Sequence, residues 1–152
     1  MCAAAGAALG APGDAGVLLL GDSGSYKSDL ALRLVAMGAR LVADDRCEMF
    51  FDGKALRVRP PGAIAGLMEI RGVGIISMPF VPEARVALAA RLQNGPARLP
   101  ERRRYSPPGM GVPERFCPPE ISVAAAEASA PAKILAAVAA YEKQLFREEI
   151  AT

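Results

Sequence analysis

The sequence contains no histidine at all. That single absence excludes histidine-ligated zinc, Ser-His-Asp triads and Cys-His nucleophile pairs together. Tryptophan is also missing and aromatics reach only 5%, so a core must be built mainly from Ala, Val, Leu and Ile. The three cysteines, Cys2, Cys47 and Cys117, form no close pair and no ligand-like spacing. Such a sparse, odd count points to reduced thiols in a reducing compartment rather than to a disulfide frame. No apolar run approaches the roughly 20 residues that span a bilayer. The Ala/Gly-rich start lacks the positive region of a secretory signal. A soluble, cytoplasmic protein with no membrane partner is therefore expected. An excess of one charge is lacking too: 18 Lys and Arg stand against 16 Asp and Glu, a formal charge of +2. A strongly basic nucleic-acid binder is thereby excluded on bulk charge. Any chemistry must run on carboxylates, Lys, Arg, Ser, backbone dipoles or a bound ion.

What is present suits one domain over residues 1–152, with 52% hydrophobic and 22% charged residues. Residues 1–13 read as flexible or as a first edge strand. The run Gly16 to Leu20, ended by a Gly/Ser cluster, suits a strand buried on both faces. Leu30, Leu34 and Met37 then recur at helical spacing from Lys27 onward, with Gly38 as the cap. Leu41 to Ala43 is a second strand closed by Asp44 and Asp45, which completes a βαβ unit. Asp52-Gly53 between two apolar runs predicts a hairpin. Leu67 to Ile70, Val73 to Met78, Val86 to Leu92 and Ile121 to Val123 read as further strands. Residues 93–119 show no period and carry the charge run Glu101 to Arg104, so a long irregular loop is expected. Pro131 opens a helix running to about Glu149, with Ile134, Leu135, Val138, Tyr141 and Leu145 on one side. The expected fold class is α/β, a mixed sheet with one helix after the Gly-rich turn and one at the C-terminus.

Three clusters carry chemistry. Gly21, Asp22, Ser23, Gly24, Ser25, Tyr26, Lys27 and Ser28 match the phosphate-loop pattern GxxxxGK[ST] except that Tyr26 replaces the second Gly. In that pattern backbone N–H groups and a helix start converge on phosphate oxygens, the Lys neutralises charge and the Ser hydroxyl faces Mg²⁺. An ordinary Gly-rich strand-to-helix turn is the plainer alternative. Asp44 and Asp45, at the end of the next strand, are placed to hold Mg²⁺ or to accept a proton; a polar strand end capping a turn is the plainer reading. Glu69, Ile70, Arg71, Gly72, Val73 and Gly74 set a carboxylate and a guanidinium beside two glycines. Such a pair is commonly a surface ion pair, but the glycines suggest that something approaches the backbone closely.

Across Gly16 to Ala140 the sequence resembles the catalytic domain of the bacterial HPr kinase/phosphorylase family, in a short form lacking the N-terminal domain. The resemblance rests on GDSGSYKS, on Arg40 to Asp45 and above all on Glu69 to Ile76, which is similar to the family signature EIRGLGI. It implies ATP and Mg²⁺, with pyrophosphate or phosphate in the reverse direction, bound over Gly21 to Ser28. It implies that Lys27 contacts phosphate and that Ser28, Glu69 and Asp44 serve the metal. Asp45 falls where the family has the carboxylate that accepts the serine proton in phosphorylation and activates phosphate in phosphorolysis. The segment from Glu69 to Gly74 would shape the docking surface for the substrate serine. Arg98 corresponds to a family arginine at the phosphate site, and Ser129 to Lys133 to a segment used in dephosphorylation. The implied partners are an HPr-like phosphocarrier and further copies of the chain, hexameric by resemblance. Two departures stand out: the family has Gly at Tyr26, and a histidine upstream of the loop that this chain lacks. They leave open a degenerate member that binds phosphate, nucleotide or a partner with little turnover. A generic P-loop small-molecule kinase would leave the Glu69 to Ile75 string without a reason.

Overall fold

The computed structural model describes residues 2–10, 14–22, 26–62 and 65–147, the first of these segments as backbone alone. Among these residues lie ten strands and two α-helices in the order β1 (Cys2–Gly10), β2 (Ala15–Leu20), α1 (Lys27–Ala36), β3 (Arg40–Ala43), β4 (Arg46–Phe51), β5 (Leu56–Arg59), β6 (Leu67–Ile70), β7 (Gly74–Ser77), β8 (Ala84–Leu92), β9 (Arg103–Arg104), β10 (Pro119–Val123) and α2 (Ala130–Glu142).

β2 is buried along all six residues, as its unbroken apolar run predicts. One of its edges pairs antiparallel with β1 and the other parallel with β8. β1 pairs in turn with β4, β4 with β5, and β5 with β8. The pairings therefore close on themselves, β2 to β1 to β4 to β5 to β8 and back to β2, which leaves these strands few open edges. Inside the ring pack Leu18, Leu20, Val42, Met49, Leu56, Val58 and Val86. Outside it, Val17, Leu19 and Leu88 meet Leu30 and Leu34 of α1 and Ile134 and Val138 of α2. Alternation along β2 thus feeds two cores, one on each face.

Several expectations are corrected. β1 is no edge strand: it lies between β2 and the β3–β4 pair, so the expected βαβ unit has an antiparallel strand inserted at its centre. An Ala/Gly-rich segment carries no apolar alternation by which sequence could place it. The 93–119 segment is not an unbroken loop, because Arg103 and Arg104 pair with Glu120 and Pro119, Glu114–Phe116 forms a 3-10 turn, and Tyr105 and Cys117 are buried. The last helix stops at Glu142 rather than near Glu149. Gln144 takes φ 54° and Leu145 N–H returns to Ala140 O at 2.9 Å, a left-handed helix end that leaves Leu145 exposed. Glu148 and Glu149 of that expectation lie outside the described residues. The Asp52-Gly53 hairpin forms as expected. Asp52 Oδ1 accepts the N–H groups of Lys54 and Ala55, both at 2.8 Å, and these bonds hold its carboxyl below the usual carboxylate range.

β6 and β7 form a separate two-stranded hairpin. It is tied back to the sheet where Leu41 N–H donates to Pro79 O and Val81 N–H to Leu41 O, both at 2.9 Å. Gly66, at φ +77°, lies under the Phe80 ring, and a Cβ there would fall 2.6 Å from Phe80 Cδ1. Gly66→Ala is expected to destabilise the chain by about 1–3 kcal/mol through strain and displacement of Phe80. A shift of the urea midpoint would measure it, and an unchanged midpoint would remove this anchor.

Candidate functional site

β2 delivers Gly21 and Asp22 at its C-terminal end, and α1 begins at Lys27. Ser23, Gly24 and Ser25 lie outside the described residues. Tyr26 is the residue before the helix, at φ 67° and ψ 23°, and its carbonyl accepts Leu30 N–H at 2.9 Å. The geometry explains why the loop pattern favours glycine here. A left-handed conformation costs an L-residue about 1–2 kcal/mol. Tyr26 is 64% exposed, so it is not core.

Lys27 is buried to 8% exposure, and its ammonium donates to Gly21 O at 2.5 Å and Asp22 O at 3.4 Å. The lysine thus satisfies the carbonyls of its own loop. Next to it, Ser28 Oγ donates to Asp44 Oδ1 at 2.9 Å across 16 residues of sequence. Asp44 and Asp45 interrupt what is otherwise one run of pairing with β1: Ala8 faces Ala43, and Ala5 faces Arg46. Arg46 N–H donates to Asp44 O at 2.8 Å around Asp45, whose φ is 69°. This is a γ-turn of the rarer, strained hand. Asp tolerates positive φ better than most L-residues.

Lys27, Ser28, Asp44, Asp45 and Glu69 line one cleft of ≈ 830 Å³, together with Tyr26 and the hairpin from Ile70 to Ile75. Each of the three expected clusters thus contributes to its walls, the first through Tyr26, Lys27 and Ser28 and not through Gly21 or Asp22. Gly72 and Gly74 carry φ of 82° and 135° at the hairpin tip, and Val73 N–H closes the turn on Ile70 O at 2.9 Å. The tip presents Val73 and Ile75 to solvent at 69% and 73% exposure. Arg98 is exposed and does not line the cleft. Lys133, in the segment matched to dephosphorylation, pairs with Glu127 at 2.9 Å.

Sequence reasoning missed Asp29, Leu32 and Met68, which also line the cleft. Helical spacing from Ser28, four residues on, could have found Leu32. It also missed Arg33, whose guanidinium donates to Glu127 O at 3.0 Å and to Ala125 O, so that α1 is tied to the segment leading into α2. Nothing in the local pattern near Arg33 points to a carbonyl more than 90 residues away.

The donors suit a hard divalent cation. The Ser28 hydroxyl and the Asp44 carboxylate are already within bonding reach of each other. Among the described residues no three His, Cys, Asp or Glu side chains gather into a protein-only metal cage. Mg²⁺ commonly takes one or two carboxylates and completes its shell with phosphate oxygens and water.

The fold places the chain among α/β domains in which a mixed sheet carries a helix after the loop and a C-terminal helix. It superposes on the structure of the Hpr(Ser) kinase/phosphatase from Coxiella burnetii with a TM-score of 0.78, covering 95% of this chain and 93% of that one at 22% identity. Residues 10–81 match the family model of the HPr serine kinase C-terminal domain. Two HPr kinase/phosphorylases, from Limosilactobacillus reuteri strain DSM 20016 and L. reuteri subsp. reuteri strain JCM 1112, are each 42% identical over 86 residues. Each match takes in 51% of this chain and 27% of the relative, so the chain spans about a quarter of their length. Over residues 10–81 the chain is thus similar to the C-terminal domain of the HPr serine kinase family.

Tyr26→Gly is expected to raise stability by up to about 1 kcal/mol, the relief of left-handed strain less the backbone entropy that glycine adds. Urea denaturation reads this directly; a loss of stability would mean that the ring makes packing contacts its exposure does not suggest.

Proposed function

We propose that the protein is an ATP- and Mg²⁺-dependent serine kinase/phosphorylase acting on HPr or an HPr-like phosphocarrier. The reading includes a cytoplasmic setting and a homo-oligomer, hexameric by resemblance to the family. The observation that carries it is the meeting of Lys27, Ser28, Asp44, Asp45 and Glu69 in one cleft walled by the Ile70 to Ile75 hairpin. The similarity to HPr kinase/phosphorylases supports the choice of carrier class.

In the forward direction the acceptor serine hydroxyl enters between the hairpin and the carboxylates. Its proton passes to Asp45 as its oxygen attacks the γ-phosphorus, and the bond to the bridging oxygen breaks to release ADP. Lys27 exchanges its bonds to Gly21 O and Asp22 O for phosphate oxygens and so neutralises charge on the transferring group. Ser28 and Asp44, with Glu69, would hold Mg²⁺, which supplies further charge neutralisation when bound. In reverse, Asp45 takes the proton of inorganic phosphate. That phosphate attacks the phosphoserine phosphorus to form pyrophosphate, and the departing serine oxygen takes the proton back from Asp45 to leave as the hydroxyl.

One variant isolates the base. Asn accepts positive φ as Asp does, so Asp45→Asn preserves the turn while removing the proton acceptor. Transfer to the carrier is expected to fall by about 10²–10⁴-fold with ATP binding intact. Transfer at the wild-type rate would remove Asp45 from this role.

The left-handed Tyr26 favours a second reading, in which the chain binds nucleotide or phosphate without turnover. Incubation with ATP, Mg²⁺ and an HPr-like carrier, followed by intact mass measurement, separates the two. A gain of one phosphate on the carrier is expected; calorimetric ATP binding without that gain would establish the second reading instead.

A further inference from the structure

The charge run that the cleft does not use has a place of its own. Arg102, Arg103 and Arg104 line a hollow of ≈ 630 Å³ together with Ser106, Val112, Glu114 and Cys117. No residue of it lines the cleft. Although consecutive strand residues point to opposite faces, all three arginines line this one concavity.

Each guanidinium is steadied by a neighbour. Arg104 donates to Cys117 O at 3.0 Å and to Glu114 O at 3.4 Å, neutral acceptors that fix it without cancelling its charge. Arg103 lies 3.8 Å from Glu120, whose carboxylate is 8% exposed and already meets Arg91 at 3.1 Å. One carboxylate is thus shared by two cations. Arg102 stacks over the Phe146 ring at 4.3 Å, which holds its plane while leaving its edge for hydrogen bonds. Among the described residues Glu114 is the one carboxylate lining the hollow, against three guanidinium groups. Planar guanidinium forks beside a serine hydroxyl match the oxygens of a tetrahedral oxyanion, which arginine binds through paired hydrogen bonds.

We infer that this hollow, bounded by Arg102, Arg103, Arg104 and Ser106, is a second phosphate-binding site, separate from the catalytic cleft. Its concave form and the overall charge of only +2 favour a compact phosphate group over a nucleic-acid backbone.

The test uses the full chain carrying Lys27→Ala, which removes the phosphate lysine of the cleft. Calorimetry with inorganic pyrophosphate is expected to show one remaining site whose affinity falls steeply as NaCl is raised. Adding Arg103→Gln, a change at a side chain 60% exposed, should weaken that site about tenfold or more, and Gln at all three arginines should abolish it. The triple substitution in the otherwise wild-type chain should leave phosphoryl transfer in the cleft unchanged. A phosphoserine hexapeptide forms the second arm. Tighter pyrophosphate binding identifies a free phosphate compound as the source, and tighter peptide binding identifies a protein-borne phosphate. No heat with either probe in Lys27→Ala, or heat that survives the arginine substitutions, overturns the inference. Because the readout is binding outside the cleft, failure of carrier phosphorylation would not count against it.

Discussion

β2 is buried on both faces, so every N–H and C=O along it must find a partner in the chain. β1 and β8 supply those partners, one on each side. The ring of pairings follows, because β8 must also reach β5, and β1 must also reach β4. With β2 so fixed, the loop at its C-terminal end leaves from a rigid point, and α1 packs back through Leu30 and Leu34. Lys27 and Ser28 inherit their positions from that strand rather than from the loop between them.

The site is assembled by departures from regular structure. Among the described residues, three non-glycine positions have positive φ, and two of them, Tyr26 and Asp45, line the cleft. Strained backbone persists where the surrounding structure holds it and tends to gather at functional sites. The γ-turn at Asp45 gives two adjacent carboxylates different surroundings. Asp44 is turned to Ser28, while Asp45 stands exposed in the cleft. A regular strand would have sent the two to opposite faces of the sheet.

Much of this could be read in the sequence where the information is local. The apolar run before Gly21, the helical spacing after Lys27 and the Asp52-Gly53 turn each encode an element within a few residues. The Glu69 to Ile75 string was legible through its resemblance to a family signature, while its glycines, taken as a sign of close approach to the backbone, carry the positive φ of a hairpin turn. What escaped depends on distant partners. β1 is placed by pairing with three strands and has no pattern of its own. β9 exists because Glu120 and Pro119 lie beside Arg103 and Arg104. The end of α2 was set by a left-handed Gln144, a residue type with no strong stop signal. Arg98 matched by its place in the sequence, but the chain carries it away from the cleft.

Ring closure also sets an order of events during synthesis. β2 at residues 15–20 waits for β8 at residues 84–92, so nearly seventy residues must emerge before its second edge is covered. Until then a six-residue apolar strand has one open side, the kind of edge that invites pairing with another chain. Non-local pairing of this sort slows folding. Chains that stall or are cut before Ala84 carry that edge permanently, and their fate is aggregation or capture by a chaperone rather than a smaller folded domain.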